Sequence, residues 1–257
     1  MKFGTDLVVG ETDLNFQLME HIALQVLALR HENTDVVIVT SGARKYGEKL
    51  AERAGYTHQL SKTEATRIGL NPLMEAWKKT LQYVGLSALA LTITGKDLTV
   101  KKMEKLRSQA RRDSLGTTYL VNTNDAENEL LDLRIYKYAQ IAGDNDKAAA
   151  RFAQFLSRTL ILCTQVEDGV IGTDGKTIRV LDDIEQKKNI ASNGKSNGGT
   201  GGMESKVDAA ISFTQSGTEK AAYIVNGRAE NILLRVLQGD STGTKIQIKE
   251  KGTYEKE

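Results

Sequence analysis

Four polar segments stand out along this 257-residue sequence, each beside an apolar run or ahead of a helix-like pattern. Thr40-Ser41-Gly42-Ala43 follows the run Val36-Val37-Ile38-Val39, and Asn122-Thr123-Asn124-Asp125 follows a run ending at Val121. Gly143-Asp144-Asn145-Asp146 follows Ala139-Gln140-Ile141-Ala142 and precedes a helix pattern. A glycine-rich stretch from Asn193 closes on Gly199-Thr200-Gly201-Gly202-Met203-Glu204-Ser205-Lys206. Each alone has an ordinary reading: Ser-Gly after a strand caps a helix, Asn-Asp clusters make turns, and aspartates favour the positive end of a helix dipole. The glycine stretch does not match the P-loop spacing, because its lysine follows the last glycine by four residues. Gathered at strand ends of one sheet, the four point to phosphoryl transfer. Glycines let backbone N–H groups approach phosphate, and a helix N-terminus adds its dipole. Lysines on either side of a transferring group offset the charge that builds up, and carboxylates hold the lysines and any Mg²⁺ in place.

Elements able to position these residues are visible in the patterning. Val36 to Val39, Ser87 to Leu91, Thr117 to Val121, Thr159 to Cys163 and Ala222 to Val225 are short apolar runs, continuous as in strands buried on both faces. Between them, Leu18, Met19, Ile22, Ala23, Val26 and Leu27 recur at helical spacing, as do Phe152, Phe155 and Leu156, and later Ala209, Ala210 and Phe213. Strand and helix alternate, which predicts a mainly parallel sheet covered by helices, with ligands at the carboxyl ends of the strands. Gly172-Thr173-Asp174-Gly175 predicts a turn between short strands. The only proline is Pro72, and the glycine stretch reads as a loop within one domain, since a helix pattern resumes at Met203.

Composition narrows the function. The chain is 40% hydrophobic and 26% charged, an ordinary globular balance. Lys plus Arg number 35 against 33 acids, so a net charge of +2 gives no reason to expect nucleic acid as a partner. The single cysteine, Cys163, excludes an intrachain disulfide and a multi-cysteine metal site, and reads as a small buried hydrophobe. No signal-peptide core and no apolar stretch of membrane-spanning length is present, which predicts a cytoplasmic protein without membrane partners.

The polar segments, with Lys2-Phe3-Gly4-Thr5 and Gly239-Asp240-Ser241-Thr242-Gly243-Thr244, resemble in order and spacing the glutamate 5-kinases of the amino acid kinase superfamily. The resemblance covers nearly the whole chain. It implies a three-layer α/β/α sandwich around a mainly parallel sheet, with residues 1–257 as one domain. The N-terminal part would bind the acceptor and the part from about 150 the nucleotide, with no PUA-type domain appended. It implies ATP with Mg²⁺, L-glutamate as acceptor, L-glutamyl 5-phosphate as product and the first step of proline synthesis. Homo-oligomers (dimer or tetramer) and feedback inhibition by proline follow from the same resemblance.

Residue by residue, the resemblance makes Lys2 and Lys206 contacts to the ATP phosphates and Asp146 the group that orients them. Ser41, Gly42, Asp125 and Asn145 would bind glutamate, with Asp144 nearby. Gly4 and Gly42 would offer backbone N–H groups to the reacting centre. Thr164, and the segment Thr200, Gly201, Gly202, Met203 to Lys206, would surround the nucleotide. No residue is assigned as a metal ligand. There are departures. Only Met1 precedes Lys2, so the first strand is expected to be shortened or missing, implying either a start upstream or reduced stability. Asp6 replaces the family's usual serine and places a negative charge beside the phosphate site. Thr123 replaces a glutamate, and Gln165 stands where the family has aspartate. Two further readings stay open: a kinase of the same fold with another carboxylate, phosphate or phosphonate acceptor, and a binding or regulatory protein that has lost turnover.

Overall fold

The structure is a computed structural model that describes residues 1–112, 117–128, 141, 143–165, 168–191 and 202–248, the side chains of Asp125 and Asn128 excepted. Its strands are β1 (Lys2–Phe3), β2 (Val37–Thr40), β3 (Ala88–Ile93), β4 (Thr118–Thr123) and β5 (Thr159–Thr164), then β6 (Val170–Ile171), β7 (Thr177–Ile178), β8 (Val180–Leu181), β9 (Ala221–Asn226) and β10 (Thr244–Ile246). Its helices include α1 (Thr5–Val8), α2 (Phe16–His31), α3 (Ala43–Arg53), α4 (Lys62–Tyr83) and α5 (Val100–Ala110). After these come α6 (Asp125–Asn128), α7 (Asn145–Leu156), α8 (Met203–Thr214) and α9 (Ile232–Leu237).

Eight strands form one sheet in the order β3-β4-β2-β1-β5-β9-β10-β8. The six from β3 to β9 run parallel, while β10 runs antiparallel to β9 and carries β8 alongside it. Successive side chains of a strand point to opposite faces, and in β2, β4 and β5 both faces are covered, whereas the edge strand β3, expected from its apolar run to be buried twice, leaves Leu89, Ala90 and Thr92 exposed. Phe3, Ile38, Leu120, Ile161 and Val225 face a layer made by α2, α4 and α9. Val39, Val121, Leu162 and Ile224 face the opposite layer of α5, α7 and α8. The result is an α/β/α sandwich around a mainly parallel sheet, as the alternating runs predict. Continuous rather than alternating hydrophobicity is the direct cost of burying a sheet twice.

The expected turn at Gly172–Gly175 joins the antiparallel pair β6–β7. Thr244 ties that hairpin to the sheet: its Oγ1 donates to the Ile178 carbonyl at 2.5 Å and accepts from the Val170 N–H at 2.8 Å. The Gly243-Thr244 element is therefore occupied with internal packing. The first strand is not missing. It is reduced to two residues, yet it lies in the centre of the sheet, with Lys2 in register with Val39 on one side and Leu162 on the other.

One correction concerns the segment before α7. Ile141 is helical, so the residues described before Gly143-Asp144 are not a strand end, and Asn145 and Asp146 already belong to α7. The polar clusters reach the same end of the sheet by two routes, strand ends for Ser41 and Asn122, helix starts for Asp146 and Lys206.

Packing between α3 and α4 fixes one of those strand ends. A Cβ on Gly47 would lie 1.8 Å from the Ala65 carbonyl oxygen, and one on Gly69 would lie 2.0 Å from that of Ala43. Mid-helix glycine costs about 1 kcal/mol against alanine. Here it permits backbone contact between the two helices, which holds the first turn of α3 directly after Ser41-Gly42.

Candidate active site

In-register residues of neighbouring strands project to the same face, so the Lys2 side chain shares the face of Val39 and Leu162, beneath α7. Lys2 is 4% exposed. An ammonium so buried needs a counter-charge. Asp146, at the second position of α7 and 3% exposed, supplies it. Its Oδ1 is 2.7 Å from Lys2 Nζ, and its Oδ2 accepts from Lys206 Nζ at 2.9 Å. Lys206 lies in the first turn of α8, so three elements, β1, α7 and α8, converge on one carboxylate. The Lys2 contact is a charge pair without an aligned hydrogen bond, leaving Oδ1 otherwise unpartnered among the described residues.

The charges decide one another's state. Burial pushes the Asp146 carboxyl up, but the ammonium groups of Lys2 and Lys206 outweigh it and hold it below the usual carboxylate range. Burial lowers Lys2 from the usual lysine value, Asp146 opposes this, and the positive charge of Lys206 adds to it. Two lysines thus share the Asp146 carboxylate at the carboxyl end of the sheet, with the Asp144 carboxylate also acting on Lys2.

Asp144 and Asp146 have separate tasks, which their spacing in the sequence does not reveal. Asp144 is the N-cap of α7: its Oδ1 accepts from the N–H groups of Asp146 at 2.9 Å and Lys147 at 3.3 Å. Its Oδ2 accepts from the Ser205 hydroxyl, which links the starts of α7 and α8. Capping belongs to Asp144, and Asp146 is left to the lysines. Ser205 lies within the segment expected to surround the nucleotide, but the sequence reading assigned it no role of its own. The signal was available in its position next to Lys206, but nothing in the spacing indicated a partner 61 residues away.

Beside this cluster, the carboxyl ends of β2 and β4 are locked together. Asn122 Nδ2 donates to the Thr40 carbonyl at 2.7 Å, and Trp77 Nε1 donates to Thr40 Oγ1 at 2.9 Å. Ser41 follows, 5% exposed, with its N–H donating to the Phe3 carbonyl at 3.1 Å. Gly42 then caps α3 at φ +112°, where a Cβ would also meet Val9 Cγ2 at 2.7 Å. Thr123 Oγ1 donates to Asn145 Oδ1 at 2.8 Å, which joins the end of β4 to the start of α7 and leaves the Asn145 amide as a donor. Asn122 Oδ1 is buried without a partner among the described residues, which marks it as a candidate the sequence reading did not single out. Gly4 caps α1, one residue past Phe3. Asp6 follows in α1, and its extra charge is met by Lys45 of α3 at 2.8 Å.

On the nucleotide side the structure covers fewer of the expected residues. Thr164 ends β5 buried, and its Oγ1 donates to the Val225 carbonyl at 3.1 Å. Gly202 caps α8, and Met203 begins it, packed against the core beneath α8. Thr200, Gly201 and the Asp125 side chain lie outside the described residues. No group of three or more His, Cys, Asp or Glu able to hold a metal is found among the described residues. Nor is any described helix long and apolar enough to cross a membrane.

Comparisons with known proteins bear on the family and the fold. The family model described as "Amino acid kinase family" matches residues 1–226. A protein of Thermotoga maritima named glutamate 5-kinase is 26% identical over 248 residues, a match covering 95% of this chain and 66% of that protein. The chain thus spans about two thirds of the length of that relative. A glutamate 5-kinase of Streptococcus equi subsp. zooepidemicus is 26% identical over 269 residues, covering 98% of this chain and 94% of its own. Among solved structures, the isopentenyl phosphate kinase of T. acidophilum superposes with a TM-score of 0.59 at 15% identity, covering 96% of this chain and 98% of its own. At that identity the likeness speaks for the fold.

Proposed function

The chain belongs to the amino acid kinase family, and from that premise we propose that it transfers the γ-phosphoryl group of ATP to the side-chain carboxylate of L-glutamate. The products are ADP and L-glutamyl 5-phosphate, and the reaction is the first step of proline synthesis. One observation carries this reading: Asp146 is held between Lys2 and Lys206.

A carboxylate with two ammonium partners and a lowered pKa is a poor base. A hydroxyl acceptor loses a proton on phosphorylation and profits from a base beside it. A carboxylate acceptor is already ionised. Its oxygen attacks the γ-phosphorus, the bond from phosphorus to the β,γ-bridging oxygen breaks, and no proton moves. Such a reaction asks the protein for position and charge stabilisation alone. Lys2 and Lys206 offset the charge on the transferring group, and Asp146 keeps both from wandering into solvent. Mg²⁺ would enter with the ATP phosphates, an arrangement that fits a site whose two aspartates already have partners. In the acceptor pocket, Ser41 and the Asn145 amide would donate to carboxylate oxygens, Gly42 would offer its N–H, and Asp125 would meet the α-ammonium. Thr164 and the segment from Thr200 to Lys206 would enclose the nucleotide, with Gly4 at the reacting centre.

The Lys45–Asp6 pair bears on the alternative of a protein without turnover. It removes the local negative excess that Asp6 alone would place beside the phosphates. ADP release measured with L-glutamate, L-aspartate, N-acetylglutamate and no acceptor tests the proposal. Glutamate-dependent release at least about tenfold above aspartate supports it, since an anchored aspartate falls short by about 1.5 Å, one methylene. Equal rates with both, or release independent of acceptor, reject it.

A further inference from the structure

A cavity of about 830 Å³ opens at the amino ends of β2, β4 and β5, the end of the sheet away from Lys2, Asp146 and Lys206, none of which lines it. Phe155 and Leu156, from the last turn of α7, give it an apolar wall, backed by the buried Phe152. Arg107 and Arg111, one turn apart at the end of α5, and Lys220, just before β9, stand on its rim. Two carboxylates at this end are already engaged: Glu219 pairs with Arg158 at 3.2 Å, and Asp35 pairs with Arg30. Arg107, Arg111 and Lys220 have no carboxylate partner among the described residues. Lys220 is only partly exposed, with Nζ donating to the Gln154 carbonyl at 2.6 Å and lying 5.1 Å from the Phe213 ring centroid. Burial, and then the charge of Arg107, lowers its pKa. Among the described residues, the charge at this rim is net positive.

We propose that this cavity binds an organic anion with a flat apolar body, a carboxylate, sulfonate or phosphate on an aromatic or branched hydrocarbon frame. Its volume suits one small molecule. Arg107 and Arg111 supply planar forks for the anionic group. The phenylalanine wall accepts an apolar body, which an inorganic anion lacks, and so selects against phosphate or sulfate alone. A polyanionic chain is poorly matched, because the cations gather at one mouth and do not form a stripe. This site is independent of which acceptor the kinase uses.

The probe is 8-anilinonaphthalene-1-sulfonate, an aromatic sulfonate whose fluorescence rises in apolar surroundings, titrated into the full chain. One site per chain is expected. Its affinity should fall about tenfold in Arg107→Glu/Arg111→Glu, a loss of about 1.4 kcal/mol, and stay unchanged in Lys206→Ala. The milder pair Arg107→Gln/Arg111→Gln, checked like the first for an unchanged cooperative melt, should lose less. Wild-type dye affinity in both arginine pairs overturns the proposal. So does loss of dye binding in Lys206→Ala, which would put the dye in the nucleotide cleft.

Discussion

The two ends of the sheet treat charge in opposite ways. At the carboxyl end, Lys2 and Asp146 are almost fully buried and Lys206 is partly buried, and each charge has a partner within 3 Å. At the amino end, Arg107 and Arg111 stand exposed with no carboxylate partner among the described residues. Buried charges must be compensated or they neutralise, so their positions are dictated by one another. Exposed cations stay solvated, cost little, and remain available to whatever anion arrives. The first arrangement suits chemistry, where a misplacement of 1 Å is expensive, and the second suits reversible binding. α7 connects them, with Asp146 in its first turn and Phe152, Phe155 and Leu156 toward its end.

The largest expected effect breaks the buried side of this contrast. Asp146→Asn removes the anion and leaves two ammonium groups facing a neutral amide. It should destabilise the fold by about 3 kcal/mol and lower the maximal rate by about 100-fold or more, with less change in the KM for glutamate. Denaturant unfolding and steady-state kinetics on the same preparation measure both. Unchanged stability and rate would reduce Asp146 to a surface aspartate, against its position in the structure.

Acid titration sharpens the same point. Asp146 has a folded pKa below its usual 3.8, so its stabilisation is complete above that value and is lost as pH falls through the folded one. The wild-type protein should therefore lose stability below about pH 4 more steeply than Asp146→Asn, which has no such proton to take up. Parallel curves of unfolding free energy against pH for the two proteins would contradict the burial and pairing described.

The smallest effect separates a helix cap in the site from one outside it. Ser61 caps α4 in a reciprocal pair with Glu64, and Asp144 caps α7. Loss of either cap, as in Ser61→Ala and Asp144→Ala, should cost about 1 kcal/mol. Only Asp144→Ala should also slow turnover, because Asp144 holds Ser205 at the start of α8, next to Lys206. Equal kinetics in the two variants would make Asp144 a cap and nothing more.

How much of this was legible in the sequence follows from what each feature depends on. β2, β4, β5 and β9 were readable because a strand covered on both faces must be apolar throughout, and their ends moved by only one or two residues. β1 carries no such pattern: two residues give no periodicity, and it is placed by the sheet around it. Lys2, Asp146 and Lys206 were named from motif resemblance, and their meeting within 3 Å is a property of the fold. The resemblance assigned Asp146 to the lysines, but that Asp144 caps α7 and holds Ser205 was not readable, since either aspartate suits a helix start. Lys45 against Asp6, across 39 residues, was out of reach of spacing arguments. Gly47 and Gly69 looked like ordinary helix-weakening residues until the contact of α3 with α4 gave them a purpose.

The central claim is that the Lys2–Asp146–Lys206 cluster drives phosphoryl transfer to a carboxylate. An acyl phosphate is trapped by hydroxylamine as a hydroxamate, whereas a phosphorylated hydroxyl group is not. Incubation with ATP, Mg²⁺, L-glutamate and hydroxylamine should yield γ-glutamyl hydroxamate in step with ADP, and Lys206→Ala should yield about 100-fold less. ADP formed without hydroxamate, or a Lys206→Ala variant as productive as the wild type, would contradict the account.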